Sequence, residues 1–574
     1  MDRLLVTAIT LSLCFVQTAA LAQRRPPVRP PQAPGGREDA LDPSPVNPAV
    51  DPKIGLFLND WRNAKPHAMY GKLVFRDILT KLDSADPIHP VKPGAVLTGM
   101  TAVSYVTLEP GATAAGHTQK AERQIFLATG GSGKIVVDAK SYDLKDGAGF
   151  VLTPDVGFRM TSTGKVPLSF YVRTEQIPAS DPPADPFTVE DRFENDRRIG
   201  AHWVHTCDGG PPGMNLCTIA PHTMPQPHSH AGEEAWIMVK GETILSLGKD
   251  LVRMTPGQAY RIPPTGLAAH SNINLGEEPV EMIYMGPADR TADAAQVAAP
   301  VAANGQKLQG LDYARLDNSP LSPATEPDVD MFMGGWRDAY PKVTHGNLYV
   351  RDMLTALQGP DSLHPTRKGA VLTNAVAVSY AMLEPGSTAH KLEGELQGVQ
   401  ETYVVHSGTG SVTVGAKTVP LAKDKAFILT SAMDFKIHAT GDKYLTFYVV
   451  SEKVPEGAAP AATLQVTDNG ARRQITANWY NRERPLITKA DGLAQYGAVT
   501  QVELKPMAMS RPYSAAKDVE EIWIATDGDV DMLFGKLLRK LPEGSAYRVP
   551  STGITAHAQI NVSGKPAKFL YMVK

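Results

Sequence analysis

The chain repeats itself at a fixed offset. Leu41-Asp42-Pro43-Ser44-Pro45 returns as Leu316-Asp317-Asn318-Ser319-Pro320, and Asp60-Trp61-Arg62 returns as Gly335-Trp336-Arg337. Gly71-Lys72-Leu73-Val74-Phe75-Arg76-Asp77 returns as Gly346-Asn347-Leu348-Tyr349-Val350-Arg351-Asp352. Val103-Ser104-Tyr105 with Leu108-Glu109-Pro110-Gly111 returns as Val378-Ser379-Tyr380 with Leu383-Glu384-Pro385-Gly386. Each pair is 275 residues apart. Whatever one copy folds into, the other must fold into as well. The 574 residues therefore form two like halves rather than one large core. Each half shows short alternating strands broken by Gly and Pro, without long helical periodicity, in two barrel-like units. The expected fold class is all-β.

The first residues read as an address. Arg3 precedes the apolar run from Leu4 to Val16, and Ala20-Leu21-Ala22 precedes Gln23. A charged start, a short apolar stretch and an Ala-x-Ala cleavage signal make residues 1–22 a signal peptide, which implies a secreted or periplasmic protein. The run is too short to span a membrane. Residues 23–50 are Pro-rich and read as an extended linker. Cys14 lies in the leader, which leaves Cys207 and Cys217 of the three cysteines. They flank the turn-forming stretch Asp208-Gly209-Gly210-Pro211-Pro212-Gly213. Two readings stay open: a disulfide across that turn, which an oxidising compartment permits, or two partly buried thiols. A net charge of −3 gives no basis for nucleic acid as a partner.

The chemistry concentrates between Pro227 and Asn274. His228 and His230 are two apart, so on a strand they share a face. Glu234 follows at the head of the apolar run Ala235-Trp236-Ile237-Met238-Val239, and His270 comes after a second strand–turn set. Three imidazoles and one carboxylate on neighbouring strands suit a divalent transition metal. Trp236 and Met238 share the parity of Glu234 and are expected to wall the cavity beside the ion. Glu233 points the other way. Tyr260 is either a donor near the ion or packing.

This stretch resembles the cupin family. The first cupin motif is present as His228, His230, Glu234 and Gly241, without its leading Gly. The second is present as Gly257, Pro263, Gly266, His270 and Asn274, with one extra residue between Gly266 and His270. The resemblance implies a small double-sheet jelly-roll barrel with the metal inside its mouth and Asn274 in the pocket. Carried over the repeat, it implies four cupin-type jelly-roll barrels arranged as two duplicated bicupins. The expected boundaries are 51–185 and 186–288, a linker at 289–325, then 326–458 and 459–574. The units at 51–185 and 326–458 carry N-terminal strand extensions.

Only the unit at 186–288 keeps the full ligand set. The last unit has Tyr513 and Ala515 in place of the two motif histidines, then Glu521, His557 and Asn561. The third has His390 and Glu401, and the first has His117, Gln119 and Gln124. Catalytic ions rest on at least three protein ligands, so these three units are expected to be scaffold. A small ligand or a weakly held metal at His117, Gln119 and Gln124 is the competing reading for the first.

What the resemblance implies for function is a secreted metal-dependent cupin enzyme, an oxidoreductase of dioxygenase type or a decarboxylase-like enzyme. Its substrate would be a small oxygen-rich organic molecule. One divalent ion is expected, with Mn or Fe favoured and Cu, Ni or Zn kept open. The fold hosts many activities, so a non-catalytic binding or structural cupin stiffened by its metal is the alternative. A homo-oligomer stays open.

Overall fold

The computed structural model describes residues 44–119, 121–177, 187–191, 205–206, 213–225, 227, 233–264, 268–286, 322, 326–467 and 470–574. Among them the only helices are short 3₁₀ turns at Ile54–Leu56, Val329–Phe332 and Lys489–Asp491; everything else regular is strand. No described helix is long and apolar enough to cross a membrane.

The strands form four two-sheet barrels, two in each half, as the alternating patterns predict. In the first barrel Leu168–Gln176 lies between Glu122–Gly130 and Met100–Leu108 in the large sheet. The small sheet is built around Gly157–Ser162 and Gly133–Val137. Leu168–Gln176 is buried along eight of its nine residues, because both faces of that sheet are covered: one by the small sheet, the other by the second barrel. Lys140–Leu144, at the rim of the small sheet, instead keeps mostly exposed side chains. The added strand Leu73–Lys81 pairs with Met100–Leu108 of its own half. Leu348–Ala356 does the same with Ala375–Leu383.

The barrels of one half are interlaced, which contiguous boundaries do not provide for. Leu58–Asp60, inside the expected unit 51–185, pairs with Gln258–Arg261 in the sheet of the second barrel. Glu190–Asp191, inside the expected unit 186–288, pairs back onto Ala148–Leu152 of the first. The second half repeats both exchanges, Met333–Gly335 with Ser545–Val549 and Val466–Thr467 with Ala426–Thr430. Each short strand covers an edge that would otherwise expose unpaired backbone groups. The exchange also explains Gly257, which has φ +97°; a Cβ there would lie 2.5 Å from Trp61 Nε1. Trp61 sits over this glycine and stacks on Tyr105 of the first barrel at 4.6 Å. Arg173 adds a polar tie between the two barrels: its buried Nη1 donates to the carbonyls of Gly213 and Gly286, each at 2.8 Å.

The two halves meet through their second and fourth barrels. Met224, Ile244, Leu251 and Ile273 pack with Met509, Leu533, Leu538 and Ile560 in one buried cluster. Leu538 N donates to His222 O at 3.0 Å. Lys249 reaches Asp51 at 3.1 Å and Lys536 reaches Glu326 at 2.6 Å, the same ion pair in both halves. The same patch from each copy faces its counterpart, as at the interface of a twofold dimer.

Candidate metal centre

Glu234 and His270 come together inside the second barrel. Glu234 stands where the strand Ala235–Lys240 begins, and its carbonyl accepts from Ile262 N at 3.0 Å. His270 opens the strand His270–Ile273, opposite Leu247. Their side chains are 8% and 3% exposed, with Nε2 3.2 Å from Oε1. Trp236 donates its indole N–H to the same Oε1 at 2.6 Å, so the parity expectation holds for it. A carboxylate this buried loses several kcal/mol of hydration and needs compensation. Two ligands about 2.1 Å from one ion at near right angles stand about 3 Å apart, so this pair fits a divalent ion. His228 and His230 lie outside the described residues. Among the described residues no three His, Cys, Asp or Glu side chains converge on a point.

Trp236 and His270 line a chamber of ≈ 20 Å³ with Cys217, Ile219, Pro225, Ser271 and Asn272, which has room for about one water. Met238 is fully buried in the core. Tyr260 lies opposite Trp236 across the sheet and accepts from Asn272 Nδ2 at 3.0 Å. Burial pushes its phenol well above the ordinary tyrosine range, so it is a neutral hydroxyl. Asn274, expected in the pocket, is a backbone staple. Its Nδ2 donates to the carbonyls of Ile219, Ala220 and Glu278, and its Oδ1 accepts from Gly276 N. Cys217 is disulfide-bonded; Cys207 lies outside the described residues.

The cupin-domain family model matches residues 104–173 and 215–286, the first and second barrels. These two barrels are cupin domains. A search of curated proteins finds no match. Among solved structures, Bacillus subtilis oxalate decarboxylase, in work on its Mn(II) centres, is similar at 13% identity. That match covers 44% of this chain and 79% of that one, with a TM-score of 0.34. Lactobacillus farciminis oxalate decarboxylase in a formate complex is similar at 12% identity over 44% and 89%, with a TM-score of 0.34. Likeness at that level carries no argument about chemistry here.

The other three barrels place different residues at these positions. In the fourth, His557 Nε2 lies 3.0 Å from Glu521 Oε1, and Trp523 donates to that oxygen at 2.7 Å. A pair in a unit expected to be scaffold thus copies the pair in the second barrel. Tyr513, in the place of His228, donates its hydroxyl to Glu521. Burial pushes the Glu521 carboxyl up, but His557, Tyr513 and Trp523 outweigh it and hold the group below the usual carboxylate range. In the third barrel Glu401 faces His345, from the hairpin loop between Pro341–Thr344 and Leu348–Ala356. In the first, Gln124 accepts from Tyr70, at the matching place in the matching loop. His117 and His390 lie beside the glycines Gly157 and Gly346. The repeat carried the signal for the two loop residues, since Tyr70 and His345 immediately precede the matched Gly71 and Gly346.

Proposed function

We propose that this cupin is an exported enzyme that holds one divalent metal ion in its second barrel through His228, His230, Glu234 and His270. The reading is carried by one observation. Glu234 and His270, two of the four motif positions, are buried against each other at 3.2 Å. The fourth barrel sharpens it: there the same pair is closed off by a tyrosine hydroxyl, and the second barrel has histidine at that position.

A divalent ion held by mixed imidazole and carboxylate ligands supplies Lewis-acid or redox chemistry to a small oxygen-bearing ligand. The chain's own residues do the rest. Trp236 orients Glu234 by its N–H. Ile219, Pro225 and the indole of Trp236 give the chamber an apolar lining that keeps water sparse. Oxygenase-like or decarboxylase-like conversion of a small acid or enol follows as the reaction class, with Mn or Fe favoured as the ion and Cu, Ni or Zn open.

The test is metal analysis of the exported protein with Glu234→Ala and His270→Ala beside it, then oxygen-uptake and CO₂-release screens over small acids and enols. One ion per chain, lost in both variants, with turnover of one substrate, is the expected result. A retained ion without turnover of any substrate favours the binding or structural alternative.

A further inference from the structure

Glu233 grips the first barrel while its neighbour Glu234 faces the centre. The Glu233 carboxylate accepts from three successive backbone N–H groups, those of Thr98 at 2.5 Å, Gly99 at 2.9 Å and Met100 at 2.6 Å. The Thr98 hydroxyl adds a contact at 3.2 Å. Three amides converging on one carboxylate form an anion-binding nest. They belong to the turn between Ala95–Leu97 and Met100–Leu108 of the first barrel. A Cβ on Gly99 would lie 3.0 Å from Glu233 Oε2, so the approach is close. Beneath it lies Arg261, its side chain 1% exposed, with Nε 3.4 Å from Glu233 Oε1 and Nη2 donating to Thr98 Oγ1 at 3.2 Å.

Successive residues on extended backbone point to opposite faces. Pinning the Glu233 side chain outward therefore fixes the backbone from which Glu234 points inward. The Glu234 carbonyl is pinned as well, by Ile262, the residue after Arg261. We infer that Glu233 is a positioning residue of the metal centre, through which the first barrel sets the place of the Glu234 carboxylate. This inference rests on the metal reading above.

The chain contains its own control. Glu520, beside Glu521, sits in the same nest of Thr373, Asn374 and Ala375 amides in the third barrel, with Arg548 beside it. Glu233→Gln and Glu520→Gln therefore weaken matching nests between barrels, the second also losing a bond from the Tyr496 hydroxyl, but only the first adjoins the full ligand set. The experiment loads the full-length protein with Mn(II) and measures its dissociation constant and the electron paramagnetic resonance of the bound ion. Glu233→Gln is expected to weaken Mn(II) binding about 10–100-fold and to change the spectrum, while Glu520→Gln leaves both at wild type. Thermal midpoints of the two variants check that Glu520→Gln loses at least as much stability as Glu233→Gln. If Glu233→Gln binds Mn(II) as wild type does, or if both variants weaken alike, the positioning role is overturned while the metal reading stands. A wild-type protein that binds none of Mn(II), Fe(II), Cu(II), Ni(II) and Zn(II) defeats the metal reading, and the positioning role falls with it.

Discussion

His345 Nε2 lies 3.0 Å from Glu401 Oε2, inside the mouth of the third barrel. The other ring nitrogen, Nδ1, lies 2.6 Å from Glu395 Oε2. His345 has φ +49°, an uncommon conformation for a residue with a side chain. It thus turns the tip of its hairpin into the barrel where a ligand would enter. Phe435 packs edge-on against the ring at 5.1 Å, and Tyr403 donates to Glu401 at 2.6 Å. In the first barrel the same loop places Tyr70 on Gln124 at 3.0 Å, an uncharged version of the same plug.

The third-barrel plug is expected to make stability depend on pH between 5 and 9, a range in which the first-barrel plug, with the Tyr70 phenol pushed up to about 12 by burial, stays neutral. Burial alone would lower the His345 pKa, but the bonds and charges of Glu401 and Glu395 outweigh it and raise the group above its ordinary value. A raised folded-state pKa contributes stability that is fully present below about pH 6.5, the unfolded value, and is lost as pH rises through the folded one. Glu395 is held below its usual range, where its backbone and His345 bonds outweigh burial. Its share is lost at the acid end, as pH falls through the folded value. His345→Gln is expected to cost about 3 kcal/mol near pH 5.5 and progressively less above pH 6.5. Urea midpoints from pH 5 to 9 measure this. The transplant His345→Tyr with Glu401→Gln, copied from the first barrel, should flatten the pH dependence. A difference that grows with pH would overturn the assignment.

Asn274→Ala should hurt folding and spare the metal. The amide satisfies three backbone carbonyls and one N–H in a buried corner, and removing it strands those groups at a cost of about 2–4 kcal/mol. Asn561 makes the same bonds to Leu504, Lys505, Lys565 and Ser563 in the fourth barrel. Asn561→Ala should therefore cost a similar amount. Metal content per folded chain should stay at wild type in both. A loss of metal in Asn274→Ala at full stability would return that residue to the pocket.

Asn274 also shows where the sequence could and could not be read. The repeat, the strand alternation and the parity of Glu234 with Trp236 were legible because each is a periodic or local signal. Four barrel-like units follow from them, and the cupin resemblance brings Glu234 and His270 together. A motif residue that serves the backbone looks the same in sequence as one that serves a ligand, so Asn274 was placed in the pocket. Leu58–Asp60 pairs with strands some two hundred residues away, and three residues carry no period to reveal that. Alternation points Glu233 away from the cavity, but its nest is built from amides of another barrel, which side-chain patterns do not mark.

Gly257→Ala tests the interlacing of the barrels. The backbone there has φ +97°, and the added methyl would meet Trp61 Nε1 at 2.5 Å and Arg62 Nη1 at 2.9 Å. Strain and displacement of Trp61 together should cost about 2–4 kcal/mol. Gly544→Ala meets Trp336 in the same way and should cost a similar amount. The measurement is the denaturation midpoint of each variant. A neutral Gly257→Ala would mean that the strand at Leu58–Asp60 is not held where the structure places it.

The fourth barrel should become a metal site when its tyrosine is exchanged. Tyr513 donates to Glu521 and its ring lies 4.4 Å from that of His557, so it occupies one side of the Glu521–His557 pair. Tyr513→His removes the hydroxyl that claims Glu521 Oε1 and brings an imidazole to the same face, which gives three protein ligands, enough for an open metal site. The second barrel is first silenced with Glu234→Ala, so that any ion counted belongs to the fourth. In that background the expected metal content is near zero, and adding Tyr513→His should restore Zn(II) or Cu(II) binding. Adding Ala515→His completes the motif, but Ala515 is 4% exposed, and forcing a larger side chain there costs about 1–3 kcal/mol. The triple variant should therefore bind more tightly and melt earlier. If it folds and binds nothing, Glu521 and His557 at 3.0 Å are not arranged as two ligands of one ion. Glu234 and His270 share that geometry, so the metal reading of the second barrel would lose the observation that carries it.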